Sequence, residues 1–361
     1  MTLGTIVFAV AVAHTFFTGF LKQRLPRSLA ILGEVEWVFA IWAIFFLVLQ
    51  LTFHGFAETT AYVRTLSFHE PLLVFVLMSV AGTRGVVGVT SWALETIAQV
   101  VPLASPSRLF LTVLVLGPLA GSLITEPAAM TVTALILKRR FFDKKPWPPT
   151  LLYATIAVLF VNVSVGGVLT HFAAPAVVLV ARSWGWDTAY MWHHFGWKAL
   201  IVVVLNAGTL TFLVRHQLRG LRVMRQPLRW KTFPPSLGWR HPIGVFAFLS
   251  GLVVLAGQQG WWIQPLIGQL EPTSLFWLTT GLTAITDNAG LTLLGSQIPD
   301  LSTLMKHALV AGAVAGGGLT VIANAPNPAG LSILEIAGFR HERLFLAALV
   351  PTLIAAAVLL I

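Results

Sequence analysis

Leu123-Ile124-Thr125-Glu126-Pro127-Ala128, inside a long apolar segment of the first half of the chain, is matched by Ala284-Ile285-Thr286-Asp287-Asn288-Ala289 in the second half. Each stretch is followed by a Gly-Gly-Xaa-Leu-Thr run, at residues 166–170 and 316–320. Both halves therefore combine a carboxylate with an interrupted helix in apolar surroundings. This combination is typical of secondary transporters, whose ion and substrate sites lie where membrane helices are interrupted.

The composition excludes a soluble domain. Hydrophobic residues make up 57% of the chain, charged residues make up 10%, and the mean hydropathy is +0.83, whereas soluble domains carry roughly a quarter charged residues. The 361 residues hold about eight spans of ~20 residues plus loops, so we predict one all-α polytopic membrane domain. No room remains for a separate catalytic domain, and we do not expect an enzyme.

The net charge of +10 comes from short basic clusters between apolar runs. Such clusters mark cytoplasmic loops of membrane proteins, so we expect membrane lipids and no nucleic acid as partners. The clusters at residues 21–28, 138–149 and 215–241 predict three cytoplasmic loops. With these loops fixed, the N-terminus and the C-terminus are predicted to lie outside, in a multi-pass protein of the cell inner (plasma) membrane.

Apolar windows predict the membrane spans. Two of them, 108–140 and 272–298, have a polar, helix-breaking centre between arms of about 15 residues, which is short for a bilayer that needs ~20 residues per span. We interpret these two windows as re-entrant hairpins. The other windows predict spans near residues 2–20, 29–53, 70–87, 150–183, 197–216, 242–258, 305–337 and 342–361.

The predicted orientations give two inverted-topology repeats. With the three basic loops placed in the cytoplasm, the hairpin at 108–140 enters the membrane from the cytoplasmic side. The hairpin at 272–298 then enters from the outside. Each repeat then has a span, a re-entrant hairpin, a broken transmembrane helix and a last span. The predicted organisation is N-terminal spans at 1–69, repeat 1 at 70–216 with its broken helix at 150–183, a cytoplasmic basic linker at 217–241, and repeat 2 at 242–361 with its broken helix at 305–337.

Glu126 and Asp287 are the candidate ion-binding acids. A carboxylate near the middle of a membrane costs ~2.5–3.5 kcal/mol on insertion scales, so a matched pair is expected to face a wet cavity or a cation. The alternative is that each acid only caps the helix that follows it, since an acid at a helix N-terminus is favourable by ~0.3–1 kcal/mol. An uncharged Ser or Asn would cap a helix at a lower insertion cost, which favours the ion-binding interpretation.

The second broken helix contains two prolines, Pro326 and Pro328. They remove two amide donors and push the residues before them out of the helical region. Carbonyls freed at membrane depth are tolerated where they line a cavity or contact a ligand. The side chains of Thr320, Asn324 and Asn327 supply further oxygens there, so we predict a cage for a hard monovalent cation.

The first broken helix is interrupted by Gly166, Gly167 and Pro175. Its candidate ligands are Asn162, Ser164 and Thr170. The alternative is a proline-kinked packing helix whose glycines allow neighbouring helices to approach closely. His171 is a candidate proton relay because histidine titrates near neutral pH; the alternative for this residue is a hydrogen bond to a neighbouring carbonyl.

Motifs for other chemistry are missing from the sequence. It contains no phosphate-binding loop, no His-Glu-Xaa-Xaa-His motif and no Gly-Xaa-Ser-Xaa-Gly elbow, and Gly316-Gly317-Gly318 lacks the Lys-Ser/Thr of a P-loop. The chain also has no cysteine. We therefore expect no ATP hydrolysis, no ATPase subunit, and no cofactor other than transported or coupling ions.

The stretch from Gly117 to Thr131 resembles the signature of the putative Na+/H+ antiporter family, within the ion transporter superfamily that includes arsenite, citrate and dicarboxylate carriers. Asn162 to Pro175 resembles the first broken helix of that superfamily, and the likeness runs from about Glu34 to the C-terminus. The resemblance implies two inverted repeats whose hairpins and unwound helices meet at mid-membrane. It also implies a homodimer with an elevator-like transport domain.

The chain departs from the dicarboxylate carriers at both hairpin tips. Those carriers have Ser-Asn-Thr at each tip, where it helps to bind sodium and a substrate carboxylate, whereas this chain has Thr125-Glu126-Pro127 and Thr286-Asp287-Asn288. Two fixed acids would repel an anionic substrate unless cations neutralised them. The departure therefore favours a cation as the substrate.

The leading hypothesis is a Na+/H+ antiporter in which Glu126 and Asp287 alternately hold a proton or Na+. The predicted Na+ ligands are Asp287, Glu126, Asn288 and Asn324, with Asn327, Thr286 and Thr125 completing the oxygen shell. The alternative is a Na+- or H+-coupled carrier of a small organic or inorganic anion, held by amides at the hairpin tips. A membrane-embedded enzyme or a passive channel would need a nucleophile and base or a continuous pore lining, neither of which the sequence indicates.

Overall fold

The computed structural model describes residues 3–221 and 239–361, and these residues form helices and loops without a strand. Most of the predicted basic linker at 217–241 lies outside the described residues. The first half contains α1 (Leu3–Arg24), α2 (Val35–Thr65), α3 (His69–Ala81), α4 (Arg84–Ile97), α5 (Ser105–Ile124), α6 (Glu126–Arg140), α7 (Pro149–Gly166), α8 (Pro175–Trp184), α9 (Thr188–Met191), α10 (Trp197–Leu213) and α11 (Arg215–Leu218). The second half contains α12 (Arg240–Ala256), α13 (Gly260–Ile267), α14 (Pro272–Thr283), α15 (Asn288–Ser296), α16 (Thr303–Gly316), α17 (Asn327–Leu334) and α18 (His341–Leu359).

The chain is a multi-pass membrane protein. Within the described ranges, five helical segments are long and apolar enough to cross a membrane, and up to seven if two bent helix pairs each count as one span. The five are Val35–Thr65, Ser105–Ile124, Pro149–Leu169, Thr188–Leu213 and His341–Leu359, and the bent pairs are His69–Ala81 with Arg84–Val100 and Pro242–Ala256 with Gly260–Ile267.

The bend after α3 differs from the single span predicted at 70–87. The helix ends at Ala81, and Thr83 accepts a hydrogen bond from the Val86 amide to begin α4, so the two helices meet at 67°. A threonine that caps a new helix turns the chain where hydropathy alone indicates continuity. Similarly, α5 has 20 residues, which is longer than the short arm predicted for the first hairpin.

We refer to α5 and α6 as the first helix pair and to α14 and α15 as the second helix pair. Thr125 alone separates α5 from α6, with φ of 78° and ψ of 149°. A β-branched residue rarely adopts positive φ, and such strain of about 1–3 kcal/mol persists only where the surroundings enforce it. In the second pair, residues 284–287 separate α14 from α15, and Asp287 caps α15.

Two broken helices lie beside these pairs. We call residues 167–174, between α7 and α8, the first break, and residues 317–326, between α16 and α17, the second break. The glycine before each break packs on the first helix of its pair: a Cβ atom on Gly166 would lie 2.7 Å from the Pro118 carbonyl carbon, and one on Gly316 would lie 2.6 Å from the Thr280 carbonyl oxygen. Both breaks therefore lie close to the tips of the helix pairs.

The two halves pack reciprocally around the breaks. The short helix after the second break, α17, packs on α6 of the first pair, and the short helix after the first break, α8, packs on α15 of the second pair. In α7, every residue from Thr155 to the end of the helix at Gly166 is buried, and the burial continues through Val168 in the first break. Helices α1, α2, α3 and α12 share a separate hydrophobic cluster, which extends to residues of α8 and α15.

Candidate functional site

Glu126 is the first residue of α6 and is 1% exposed. The amide nitrogen of Asn324, in the second break, donates a 2.8 Å hydrogen bond to its Oε2. Its Oε1 atom is buried and accepts no hydrogen bond from the described residues. Gly167 leaves the space for this carboxylate, because a Cβ atom there would lie 2.6 Å from Glu126 Cγ and 2.9 Å from Cδ.

Asp287 has different surroundings. Its Oδ1 accepts hydrogen bonds from the amides of Ala289 (2.9 Å) and Gly290 (3.4 Å). Asp287 therefore caps α15, which was the alternative to ion binding that the sequence left open. The residue is half-buried and lines a pocket between α15 and helices α1, α2 and α12. Thr286 lines the same pocket, whereas Glu126 does not.

The second break lies between the two acids. The amide of Asn288, next to Asp287, donates a 3.0 Å hydrogen bond to the carbonyl of Ala323, and the following residue, Asn324, binds Glu126. The fold therefore brings the matched acids into one region, with an unwound segment between them and only Asp287 facing the pocket.

Three asparagines of this region have the same hydrogen-bonding pattern. Asn288, Asn324 and Asn327 are each buried, each donates through its amide nitrogen to a protein acceptor, and each has an amide oxygen with no partner among the described residues. The acceptors are, in that order, the Ser164 hydroxyl (3.4 Å), Glu126 Oε2 (2.8 Å), and for Asn327 the carbonyls of Gly317 (2.8 Å) and Thr320 (2.9 Å).

Five buried oxygens near the breaks and pair tips therefore lack a hydrogen-bond donor from the described residues: those of the three asparagine amides, Glu126 Oε1 and the Thr125 hydroxyl. We call this set the acceptor cluster. Buried acceptors without donors are rare in proteins and call for a physical explanation. A cation satisfies several such oxygens at once, and hard cations prefer carboxylate and carbonyl oxygens.

Two predicted threonine ligands have equivalent contacts in the two halves. The Thr170 hydroxyl donates to the Ser122 carbonyl (2.7 Å), and the Thr320 hydroxyl donates to the Ala284 carbonyl (2.9 Å). Each bond ties a break to the end of the first helix of its pair. These hydroxyls thus hold the breaks in place, which the sequence did not predict for them.

Ser164 and Asn162 also have structural bonds. The Ser164 hydroxyl donates to the Val314 carbonyl (2.8 Å) while it accepts from Asn288, so it links α7 to α16. Asn162 lies in α7, five residues before the first break, and its amide nitrogen donates to the carbonyls of Leu114 and Val203. The Asn162 amide therefore crosslinks α5, α7 and α10 and does not belong to the acceptor cluster.

His171 hydrogen-bonds Thr188 through Nδ1 at 2.9 Å and is half-exposed. This partner is a side-chain hydroxyl at the start of α9 and not the neighbouring carbonyl that the alternative interpretation expected. The ring contacts Phe172 edge-on. Its described contacts thus link the first break to α9 and do not include either acid.

Sequence reasoning missed two buried polar residues, Ser122 and Asn206. The Ser122 hydroxyl donates to the Gly166 carbonyl (2.7 Å) and accepts from the Leu169 amide (2.9 Å), so it holds both ends of the turn that begins the first break. Asn206 donates to Asn162 Oδ1 at 3.0 Å. The available signal was the same for both: a polar residue within a mostly apolar span.

No group of three or more His, Cys, Asp or Glu side chains that would hold a resident metal occurs in the described part of the chain. A family model described as a putative Na+/H+ antiporter matches residues 1–236 and 229–361, which together cover the whole chain. A comparison with curated proteins finds no match.

Proposed function

Because the chain belongs to the putative Na+/H+ antiporter family, we propose that it exchanges Na+ for protons at a site formed by Glu126, Asp287 and the acceptor cluster. The observation that carries this proposal is the acceptor cluster, five buried oxygens without donors, one of which belongs to the fully buried carboxyl group of Glu126. Glu126 supplies the negative charge, and the amide oxygens replace the hydration shell of the ion.

Exchange follows from competition for the carboxylate. A carboxyl group binds a cation only in its deprotonated form, so a bound cation displaces the proton and a proton displaces the cation. Asp287 is the second exchanging acid, at the boundary between the acceptor cluster and the pocket. Since two nearby carboxylates repel each other, a proton or cation on one of them lowers the cost of charging the other.

The transport unit in this proposal is the pair of inverted repeats, at 70–216 and 242–361, with the helix pairs as re-entrant hairpins. The reciprocal packing of α17 on α6 and of α8 on α15 supports it, as do the matching bonds of Thr170 and Thr320. Basic loops in the cytoplasm, both termini outside and an inner-membrane location complete the topology. Membership of the ion transporter superfamily and a homodimeric state rest on the sequence resemblance.

The rival proposal, a coupled carrier of a small anion, needs free amides at the tips of the helix pairs. At the second tip, the amides of Ala289 and Gly290 already donate to Asp287. An anion would have to displace a carboxylate from them. The geometry therefore favours the cation.

Exchange in proteoliposomes with an internal pH dye tests the proposal. A gradient of Na+ or Li+ should drive proton movement, whereas organic acids should neither drive nor stimulate it; K+ is included to establish selectivity. Glu126→Gln and Asp287→Asn should each abolish exchange while the protein still folds. The matched control is Glu335→Gln, because Glu335 follows the last residue of α17, is exposed, and pairs at 2.5 Å with Lys138, which lies near the opposite end of α6 from Glu126. Wild-type exchange rates in Glu126→Gln would overturn the proposal.

A further inference from the structure

A group of aromatic and histidine rings joins the two halves of the chain at the beginning of α16. His307 lies in the second turn of this helix, whose other end leads into the second break. Its ring centroid is 4.7–5.7 Å from those of four first-half residues, Trp186, Tyr190, His194 and Phe195. Its Nε2 atom and the Tyr190 hydroxyl are hydrogen-bonded at 2.5 Å. We call these five residues the ring cluster.

The first-half side of the ring cluster includes an unusual helical turn. Between α9 and α10, the chain forms a single π-helical turn, Trp192–Gly196. Such turns are rare and occur frequently at functional sites. His194 lies in this turn, and its ring centroid is 4.3 Å from that of Tyr190 and 4.7 Å from that of His307. The turn therefore brings two histidines from different halves of the chain into contact.

The two histidines have no acidic partner in the described part of the chain. The charged or titratable side chains on the adjoining elements are those of Arg182, Asp187, His193, Lys198, Glu271 and Lys306. None of the described ion pairs joins an acid to His194 or His307. Asp187 instead accepts a hydrogen bond from the Tyr190 amide at 2.7 Å and caps α9.

Protonation of both histidines would place two like charges side by side. Histidine ordinarily gains its charge between about pH 8 and pH 5, and like charges this close repel each other. Lys306, next to His307 in the sequence, and Lys198, four residues after His194, add to the positive charge. With neutral rings, the packing and the hydrogen bond to Tyr190 are formed without this repulsion.

We propose that His194 and His307 form a pH-sensitive contact between the two halves. At neutral pH the contact holds the first turns of α16 against the π-helical turn, and protonation of both rings releases them. Because α16 leads into the second break, the contact makes the position of this break depend on pH.

Thermal unfolding of the purified full chain in detergent tests the contact at about pH 8 and about pH 5.5, on either side of the range in which histidine titrates. The contact stabilises the protein while the rings are neutral, so its contribution is present at the higher pH and is lost as the pH falls. His194→Gln and His307→Gln should each reduce the fall in unfolding temperature between the two pH values. The double variant should reduce it no further, because the repulsion needs both rings. The wild-type fall in both single variants, or additive reductions in the double variant, would overturn the proposal.

Two control variants separate the charge effect from a general loss of packing. His193→Gln lies in the same turn, but His193 is exposed and its described hydrogen bond uses its backbone carbonyl, which accepts from Trp197 at 3.1 Å. It should therefore retain the wild-type fall, and a reduced fall would count against the pair. Tyr190→Phe removes the bond to His307 but keeps both histidines, so it should lower the unfolding temperature at both pH values and retain the fall between them.

Exchange in proteoliposomes tests the link from the contact to the second break, and this test rests on the proposed function. Saturating Na+ minimises competition by protons for the carboxyl groups. Under that condition, His307→Gln should retain a larger fraction of its exchange rate at the lower pH than the wild type does. Equal fractions would overturn the link. Thermal unfolding involves no transport, so it decides whether the contact exists independently of Na+/H+ exchange.

Discussion

Replacing Gly167 by alanine should disable the site without disturbing the backbone. Gly167 has φ of −75° and ψ of −13°, which alanine adopts without strain. The new methyl group, however, would lie 2.6 Å from Glu126 Cγ and 2.9 Å from Cδ. Ordinary contact begins at 3.4 Å, so the Glu126 side chain must move by about 0.8 Å.

A displacement of this size is enough to lengthen the 2.8 Å bond between Asn324 and Glu126 Oε2 beyond the ~2.7–3.2 Å range of N–H···O hydrogen bonds. A hydrogen bond to a charged group contributes about 1.5–3 kcal/mol. If that interaction is lost from the Na+-bound form, the Na+ concentration for half-maximal exchange should rise by about ten- to a hundredfold. The measurement is exchange in proteoliposomes over a range of Na+ concentrations, together with the thermal unfolding temperature.

Gly208→Ala is the matched control for this variant. A Cβ atom on Gly208, in α10, would meet nothing within 4 Å, so alanine there should leave exchange unchanged and stabilise the helix by up to about 1 kcal/mol. If Gly167→Ala exchanged Na+ with the half-maximal concentration and rate of the wild type, Glu126 would not be held in place by this close approach, and the reasoning would fail.

Three further predictions follow from the same contacts. Ser164→Ala removes the partner of the Asn288 amide nitrogen (3.4 Å). It should lower the free energy of unfolding by about 1 kcal/mol and raise the Na+ concentration for half-maximal exchange. An unchanged Na+ dependence would show that this bond does not orient the Asn288 amide oxygen towards the ion. Thr170→Val and Thr320→Val remove equivalent bonds of 2.7 Å and 2.9 Å. Thermal unfolding should therefore show a similar loss of stability in both variants, about 1 kcal/mol each. A loss of stability in only one of the two variants would contradict the equivalence of the bonds. Lowering the pH by one unit should raise the half-maximal Na+ concentration by up to about tenfold, because each Na+ displaces a proton from a carboxyl group; a Na+ dependence that does not change with pH would exclude competition.

The membrane class and the family were predictable from the sequence, and both are confirmed. Pro326 ends the second break, as predicted for a residue that cannot continue a helix. The prediction is wrong for Pro328, which lies in the first turn of α17, where proline is tolerated, so that Asn327 before it is helical. The two repeats in inverted orientation stay predictions, because orientation is defined relative to a bilayer. The ion-binding roles of the site residues likewise stay predictions.

The remaining features depend on contacts between distant parts of the chain. Asn324 and Glu126 are 198 residues apart in sequence, and no local pattern pairs them. The orientation of an asparagine amide is set by its partners in the folded protein, so the unpaired oxygens of the acceptor cluster had no sequence signal. Asn162 has the residue type of a ligand, but Leu114 and Val203 occupy its amide nitrogen. The pocket beside Asp287 is built from α1, α2, α12 and α15, whose apolar faces cannot be distinguished in the sequence from lipid-facing ones.

Proton release on Na+ binding tests most directly whether Glu126 exchanges a proton for Na+. The purified protein in weakly buffered detergent solution, with a pH dye, receives NaCl or, as an ionic-strength control, N-methylglucamine chloride. The wild-type protein should release up to about one proton per bound Na+, and Glu126→Gln should lose this release. Equal proton release from Glu126→Gln, or Na+ binding by the wild type without any release, would contradict the proposed exchange at Glu126.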